Sequence, residues 1–301
     1  MFTVKPRGYF NRNRTYRKKG KFHHRYDREY VDPNYGENYD LRLIILRHAE
    51  RVDSILGDNW YNQVFGGVSS AHAQMYRHPI LPKGLPHRAK TQLYMSDPPI
   101  TRTGQRNALY RGRELASQGL TVDSCYASPA CRSVISASAV LQGMHRNDVP
   151  IRIENSLFEP MSWNTPLQEL RGMSPFMSTS EWINNGYNID RRYRRLIDNL
   201  NPFEDEYEFR ARSEVFLESI ERRHDGMRMP LFDRRRRRPS TILIVGHAAS
   251  PLIYTNIALQ EPFDAQAFGK QCGSISFLHT TILERDATNR TWYTRSNTPF
   301  V

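Results

Sequence analysis

Short apolar segments rich in β-branched residues alternate with helical segments between residues 39 and 301. Strands that are separated by helices are joined by crossovers, which give parallel strands with helices on both faces. We therefore predict an α/β fold with a mostly parallel sheet flanked by helices on both faces. The predicted strands are Leu41–Leu46, Val122–Tyr126, Ile151–Ile153 and Thr241–Val245. The predicted helices are Thr103–Gln118, Cys131–Gln142, Arg191–Leu200, Glu206–Arg223 and Ser250–Leu259.

Two segments depart from this alternation. Ser274–Leu283 and Arg290–Arg295 lie on either side of Ala287-Thr288-Asn289 and predict a hairpin. Asp53–Pro99 has little periodicity, so we interpret it as irregular loops on the substrate side of the protein.

The N-terminal segment is basic and has almost no aliphatic side chains. Residues 1–31 carry ten Lys or Arg against two acidic residues, and together with Asp233 and Arg234–Arg238 they account for the net charge of +12. Such a composition buries too little apolar surface to offset its ordering entropy. Residues 1–38 are therefore predicted to be a disordered basic tail, and residues 39–301 a single domain. The tail would also suit a weak RNA contact, and Arg234–Arg238 is either a solvated loop or a nuclear-localisation patch.

Hydropathy and cysteine content bear on the compartment. The longest apolar runs span four residues, whereas a membrane helix needs roughly 20, and the N-terminus lacks the apolar region of a signal peptide. Three cysteines are an odd number and too few for a disulfide scaffold. We expect a cytoplasmic protein without membrane contact, and a nuclear location is left open.

A histidine lies just after the end of two of the predicted strands. His48 follows Arg47 after the first strand, and His247 follows Gly246 after the fourth. Ligands of open parallel sheets bind just beyond the carboxyl ends of the strands, where both histidines would lie. Arg132 is near the start of a predicted helix, whose free N–H groups favour anions. The pattern predicts a site for a dianionic phosphate, although a single His or Arg at a strand end is more often structural.

Other catalytic signatures are absent from the sequence or wrongly spaced. It contains no Gly-rich loop with Gly-Lys-Ser/Thr, no Gly-x-Ser-x-Gly and no His-Glu-x-x-His. Six residues separate Cys125 from Arg132, and Pro129 removes an N–H group that the phosphate loop of a cysteine phosphatase would use. Three further histidines lack metal-ligand spacing and are interpreted as surface residues: His72, His78 and His87. No metal or other cofactor is expected.

Five groups of motifs follow one another between residues 41 and 280. They are Arg47-His48-Ala49-Glu50-Arg51-Val52-Asp53, Asp97-Pro98-Pro99-Ile100-Thr101, Tyr126-Ala127-Ser128-Pro129 with Arg132, Ile151-Arg152-Ile153-Glu154 followed by Leu157-Phe158-Glu159, and Ile242-Leu243-Ile244-Val245-Gly246-His247-Ala248. Together they resemble the histidine phosphatase (phosphoglycerate mutase-like) superfamily. Within it they are similar to the phosphatase domain of the Sts proteins (suppressors of T-cell receptor signalling, ubiquitin-associated and SH3 domain-containing) and to the insect ecdysteroid-phosphate phosphatases. The resemblance implies a phosphoglycerate mutase-like fold and hydrolysis of a phosphomonoester through a phosphohistidine.

The resemblance also implies a role for individual side chains. His48 would be the nucleophile that becomes phosphorylated, and Glu159 the proton donor. The phosphoryl oxygens would be bound by Arg47, Arg132 and His247, with Arg51 as an additional phosphate-binding arginine. A neutral imidazole can attack phosphorus without first losing a proton, and guanidinium groups can stabilise the charge of the transition state without a metal.

The chain departs from the family pattern at three places. Ala49 replaces the glycine of Arg-His-Gly, where a methyl group could crowd the phosphate or strain the backbone. Ile135-Ser136 stands where relatives have Gln-Thr, and Pro160 follows Glu159 where relatives have Trp. No charged catalytic group is lost, so we expect activity. A catalytically weak scaffold that only binds phosphate stays open, as do a homodimer and the substrate, for which phosphotyrosine protein, a steroid phosphate and another small phosphomonoester are candidates.

Overall fold

One sheet organises the part of the chain that the structure describes. The computed structural model describes residues 38–66, 78–88, 90–163, 175–224 and 239–295. The strands of these residues are β1 (Tyr39–Arg47), β2 (Ser124–Ala127), β3 (Ile151–Ile153), β4 (Ser240–Gly246), β5 (Thr280–Asp286) and β6 (Trp292–Thr294). They form a six-stranded sheet with the order β3-β2-β4-β1-β5-β6. The predictions for residues 1–37, His72 and Arg234–Arg238 lie outside the described residues.

The pairing of the strands confirms the mostly parallel sheet. β1 pairs with β4 in parallel, and β2 pairs in parallel with both β3 and β4. β5 is antiparallel to β1 and to β6, so the C-terminal hairpin forms one edge of the sheet. The register sets Arg47 opposite Gly246. The residues that follow, His48 and His247, therefore leave the sheet at adjacent points.

Alternate residues of the central strands face opposite sides of the sheet, as the pleat requires. Ile44 and Val245 belong to one hydrophobic cluster. Leu43 and Ile244 belong to the other. All four are completely buried, which explains why these strands have apolar residues at consecutive positions rather than at alternate ones.

Helices cover both faces, as the sequence predicts. The first face packs against α1 (Val52–Leu56), α2 (Trp60–Phe65), α3 (Leu93–Ser96), α4 (Arg102–Ser117), α5 (Cys131–Gly143) and α6 (Thr179–Asn184). The second face packs against α7 (Glu206–His224), α8 (Ala249–Ala258) and α9 (Ala265–Ser274). The predicted helices at α4, α5, α7 and α8 are confirmed to within a residue or two. None of the described helices is both long and apolar enough to span a bilayer.

The predicted helix at Arg191–Leu200 is wrong, because this segment has no helical structure. The Asp190 carboxylate accepts a hydrogen bond from the N–H group of Arg192 at 3.0 Å. Buried Glu154 accepts bonds from the Tyr193 hydroxyl at 2.6 Å and from the Leu196 N–H group at 2.8 Å. Side chains that bind the backbone in this way compete with the i→i−4 bonds of a helix. They tie the segment to the end of β3 instead.

Two other predictions are corrected in their boundaries. Asp53–Pro99 is less irregular than predicted, since it contains all but the first residue of α1 and the whole of α2 and α3. The first strand of the hairpin begins at Thr280 rather than at Ser274. The preceding residues belong first to α9, which begins with N–H groups bound to the Asp264 carboxylate and ends at Ser274. A turn follows, which is closed by a bond from the His279 N–H group to the Ser276 carbonyl oxygen.

Candidate active site

His48 lies at the carboxyl end of β1, where its side chain is only 2 % exposed. Its Nδ1 lies 2.8 Å from the carbonyl oxygen of Ala49. Because a carbonyl oxygen can only accept, Nδ1 carries the proton and Nε2 keeps its lone pair. Burial, followed by the charge of Arg132, holds the pKa of His48 well below its usual value. The imidazole is therefore neutral at neutral pH and has a nucleophilic nitrogen.

His247 follows β4 and is completely buried. The centroid of its ring lies 5.4 Å from that of the His48 ring. Arg132 Nη2 donates to Nδ1 of His247 at 3.2 Å, so Nε2 carries the proton and donates to the Ser128 Oγ at 2.8 Å. Burial, and then Arg132, hold the pKa of His247 well below its usual value. Two neutral imidazoles thus lie side by side at the ends of adjacent strands.

Arg132, in the first turn of α5, joins the histidines to two carboxylates. Its Nη2 lies 2.6 Å from the Glu159 Oε1, and its Nη1 lies 3.8 Å from the Asp97 Oδ1. The Glu159 Oε1 is also 3.6 Å from Nδ1 of His247. Burial raises the pKa of the completely buried Asp97 to about 6, against the opposing charges of Arg88 and Arg132. The structure thus brings together three residues that the resemblance assigns to one site.

Arg47 directly precedes His48 and faces the loop after α9. Its Nη1 donates to the carbonyl oxygen of Ile275. Its guanidinium carbon lies 4.4 Å from the centroid of the Phe277 ring, and this ring lies 5.7 Å from the His48 ring. Burial, followed by the charge of Arg51, lowers the pKa of Arg47 from its very high usual value. Arg47 is therefore a cation held in the wall of the site.

Arg51 stands beside the site with its guanidinium fork occupied. It binds both carboxylate oxygens of Asp53, through Nε at 2.9 Å and Nη2 at 2.6 Å. Its side chain is 31 % exposed. The charge of Arg51 is nevertheless among those that lower the pKa values of His48 and His247. It belongs to the same positive field, and the bonds to Asp53 leave its Nη1 group unused.

Two of the arginines around His48 have a buried donor without a partner among the described residues. These donors are Nε of Arg47 and Nε of Arg132. A buried N–H group without an acceptor costs about 1–3 kcal/mol, so native proteins rarely keep one without a reason. Guanidinium groups with free donors match the oxygens of a phosphate. Arg47 and Arg132 can therefore offer these donors to an anion.

A buried ion pair holds the loop that carries Glu159. Arg212 of α7 binds the Glu204 carboxylate through Nε at 2.6 Å and Nη2 at 2.5 Å. Its Nη1 donates to the carbonyl oxygens of Ser156 at 2.8 Å and Phe158 at 3.1 Å. The Phe158 ring packs 5.0 Å from the His247 ring. Since these bonds end at the residue before Glu159, they fix where its carboxylate enters the site.

Two departures from the family pattern have a structural explanation. Ala49 is fully buried and is not among the described residues with a positive φ, so its backbone is not strained. A Cβ atom built on Gly104 would lie 3.3 Å from the Ala49 methyl group, which therefore faces the start of α4. The Ser136 Oγ accepts a bond from the Ala49 N–H group at 2.9 Å and donates to the Arg132 carbonyl oxygen at 2.7 Å. A serine here still supplies the hydroxyl group that ties the His48 loop to α5.

The cysteines do not compete for the role of nucleophile. Cys125 and Cys131 are completely buried, and this burial raises the pKa of both thiols. Both thiols therefore stay protonated and shielded from a substrate. His87 is exposed, and Nδ1 of His78 accepts a bond from the backbone of Ile80 at 3.3 Å. Within the described ranges no three His, Cys, Asp or Glu side chains are placed to hold a metal ion.

Three residues of the site received no role from the sequence. Ser128 could have been found, because it follows β2 as His48 follows β1. Asp97 offers a weaker signal, an acidic residue directly before two prolines. Phe277 gives no sequence signal, since it lies in a turn between α9 and β5, where the sequence predicted a continuous strand.

Comparisons with known proteins identify a matching family model and several relatives. Residues 85–288 match the model of the histidine phosphatase superfamily, branch 1. The chain is 29 % identical over 183 residues to ubiquitin-associated and SH3 domain-containing protein A of Mus musculus, over 59 % of this chain and 28 % of that protein. It is 32 % identical over 179 residues to the ecdysteroid-phosphate phosphatase of Bombyx mori, over 59 % of this chain and 26 % of that protein. The chain thus spans about a quarter of the length of these curated relatives.

A solved structure has the same fold. The crystal structure of the ecdysone phosphate phosphatase of Bombyx mori, in complex with tungstate, matches with a TM-score of 0.70 and 24 % sequence identity. The match covers 87 % of this chain and 95 % of the other.

Proposed function

Because the chain belongs to the histidine phosphatase superfamily, we propose that it hydrolyses phosphomonoesters through a phosphohistidine on His48. One observation carries the proposal: a buried, neutral His48 with a free Nε2 lies in a cluster with Arg47 and Arg132, whose Nε atoms have no partner among the described residues. A neutral imidazole attacks phosphorus without first losing a proton. Fixed guanidinium charge stabilises the three equatorial oxygens of a loose phosphoryl transition state.

The reaction has two steps. In the first, Nε2 of His48 attacks phosphorus, the new P–N bond forms, and the bond from phosphorus to the ester oxygen breaks. The leaving oxygen takes a proton from Glu159 and departs as an alcohol. In the second, water gives a proton to Glu159 while its oxygen attacks phosphorus, and the P–N bond breaks to release phosphate. The bond from Nδ1–H to the Ala49 carbonyl oxygen supports the positive charge on the phosphorylated ring.

Two ion pairs would rearrange when the substrate binds. Arg132 would turn one or more donors from Glu159 to the phosphoryl oxygens. A carboxylate beside a dianion favours its protonated form, which is the form that can donate to the leaving group. Arg51 would exchange Asp53 for a phosphoryl oxygen. The ligand-free contacts therefore hold the charged groups at the site until an anion replaces them.

Ser128 would let His247 bind a phosphoryl oxygen as a donor. A hydroxyl group can either accept or donate a hydrogen bond by rotating. Without substrate, Ser128 accepts from Nε2 of His247 while Nδ1 accepts from Arg132. When Arg132 turns to the phosphate, Ser128 can donate to Nε2, and Nδ1–H can then donate to the substrate. His247 would remain neutral in both states.

Relatives suggest substrate classes without choosing among them. One is named as a phosphatase of ecdysteroid phosphates, and the solved structure holds tungstate, a tetrahedral oxyanion like phosphate. The chain spans about a quarter of the length of the curated relatives, so their names do not fix its substrate. Phosphotyrosine protein, a steroid phosphate and another small phosphomonoester all stay candidates.

Hydrolysis of p-nitrophenyl phosphate by the purified full chain tests the proposal. We expect metal-independent turnover that is lost in His48→Ala. His87→Ala is the matched control, since His87 is an exposed histidine outside the site, and it should keep the wild-type rate. If wild type shows no turnover above that of His48→Ala, the proposal is wrong and a phosphate-binding scaffold is the better account.

A further inference from the structure

We propose that Phe277 is a specificity-determining residue, whose ring contacts the leaving group and favours aromatic phosphomonoesters over polar aliphatic ones. The inference rests on the phosphatase function proposed above and names the substrate class for the same site. Neither the sequence nor the assigned roles of the charged residues involve this side chain.

The Phe277 ring lies next to two residues of the proposed active site. Phe277 lies 5.7 Å from the His48 ring and 4.4 Å from the Arg47 guanidinium carbon, measured from its centroid. A phosphoryl group bound to both His48 and Arg47 lies close to two side chains that contact this ring. The ester oxygen lies opposite the attacking Nε2 of His48, and in this proposal the first atoms of the leaving group contact the exposed part of the Phe277 ring. The side chain is only partly buried and keeps surface for a ligand.

The loop that carries Phe277 is held against the end of β1 at two points. Arg47 donates to the Ile275 carbonyl oxygen, and the Leu278 N–H group lies 3.4 Å from the His48 carbonyl oxygen. The turn is closed by the bond from the His279 N–H group to the Ser276 carbonyl oxygen at 3.2 Å. The ring is thus a fixed part of the wall.

The backbone at Leu278 adds a second sign that this turn is constrained. Leu278 has a φ of +60°, in the left-handed region that a leucine seldom adopts. It is 7 % exposed, so packing holds the side chain in place. A strained residue persists only when its surroundings fix it, and such residues gather at functional sites. Here the strained turn sets the direction of the preceding residue, Phe277.

The chemistry of the ring selects the substrate class. Arg47 stacks near the ring, which leaves the remaining apolar surface for the leaving group. Aromatic rings prefer partners at centroid distances of about 4.5–7 Å, in offset or edge-to-face arrangements. A polyol or a sugar would find no hydrogen-bond partner on this side chain and would lose water from its hydroxyl groups. A phenyl or similar flat group is the better fit.

Kinetics with matched substrates tests the inference. We would measure kcat/KM for phenyl phosphate, cyclohexyl phosphate and glycerol 2-phosphate with wild type, Phe277→Ala and Phe277→Leu. Each substrate is compared with itself across variants, so differences in leaving-group reactivity cancel. Phe203→Ala is the control, since Phe203 is 83 % exposed. Melting temperatures show whether each variant is folded, and Phe277→Leu keeps the apolar bulk if Phe277→Ala is unstable.

We expect Phe277→Ala to lower kcat/KM for phenyl phosphate about two- to tenfold more than for glycerol 2-phosphate. Phe277→Leu should impair phenyl phosphate more than cyclohexyl phosphate, and Phe203→Ala should impair neither. Equal losses for all three substrates in both Phe277 variants would overturn the inference while leaving the phosphatase function intact. Failure of the wild type on every substrate would instead refute the proposed function.

Discussion

Replacing Ser136 by alanine removes a hydroxyl group that links two parts of the active site. The Ser136 Oγ is the acceptor for the N–H group of Ala49 at 2.9 Å and donates to the Arg132 carbonyl oxygen at 2.7 Å. Ala49 is completely buried, so in Ser136→Ala its N–H group has no acceptor and no water. A buried donor left without an acceptor costs about 1–3 kcal/mol. At roughly 2–4 °C per kcal/mol for a domain of this size, the melting temperature should fall by about 2–12 °C.

The same substitution should reduce activity. The Ala49 carbonyl oxygen holds the Nδ1 proton of His48, and this sets the tautomer that leaves Nε2 free. Loosening Ala49 should therefore lower kcat/KM for p-nitrophenyl phosphate on the order of tenfold, which corresponds to about 1.4 kcal/mol of transition-state stabilisation.

Ser133 offers a matched control in the same helix. It is as fully buried as Ser136, but its Oγ has no hydrogen-bond partner among the described residues. Removing a buried hydroxyl without a partner should be neutral or slightly stabilising. Ser136→Thr keeps the hydroxyl group and should behave as wild type. Urea unfolding and kcat/KM of the three variants check this, and equal losses in Ser133→Ala and Ser136→Ala would refute the reasoning.

Four further predictions concern Arg212, the two buried histidines and Ala49. Arg212→Met breaks a buried ion pair, so it should lower the free energy of unfolding by about 3–5 kcal/mol. It also frees the loop that carries Glu159 and should therefore reduce kcat. Urea denaturation measures the first effect and turnover the second, and unchanged values would contradict the prediction. Burial lowers the pKa values of His48 and His247, so kcat/KM should persist as the pH falls through 6.5 and decline only in more acidic solution. As the pH falls, these histidines become protonated in the unfolded chain before they do in the folded one. The free energy of unfolding should therefore fall as the pH drops below about 6.5. Urea titrations at a series of pH values measure this, and a rise in stability towards acidic pH would contradict the prediction. Ala49→Gly should leave kcat nearly unchanged, since the methyl group faces α4; a large gain in turnover would show that it crowds the phosphate.

The architecture could be predicted from the sequence where one physical rule dominates. The strand around Leu41–Leu46 is apolar at consecutive positions because both faces of a parallel sheet are covered, and the structure places it at the centre. The resemblance to the histidine phosphatase superfamily is confirmed over residues 85–288, which contain four of the five groups of motifs but not Arg47–Asp53.

The features that could not be predicted from the sequence depend on side-chain contacts between distant segments. Arg191–Leu200 has helical composition, but Glu154 lies in a distant segment and binds its backbone. In the site, the strand ends located His48 and His247, whereas the contact of Arg132 with Asp97 depends on how the start of α5 meets the residue that follows α3. The catalytic roles of these residues, the RNA contact of residues 1–38 and a homodimer remain predictions.

Trapping of the phosphoenzyme tests the central claim most directly. The full chain would be mixed briefly with a radiolabelled phosphomonoester, quenched, and divided between acid and base. We predict a label that is lost in acid, is stable in base and maps to His48, and that is absent from His48→Ala. Turnover without any label on His48, or an acid-stable label on another residue, would contradict the account.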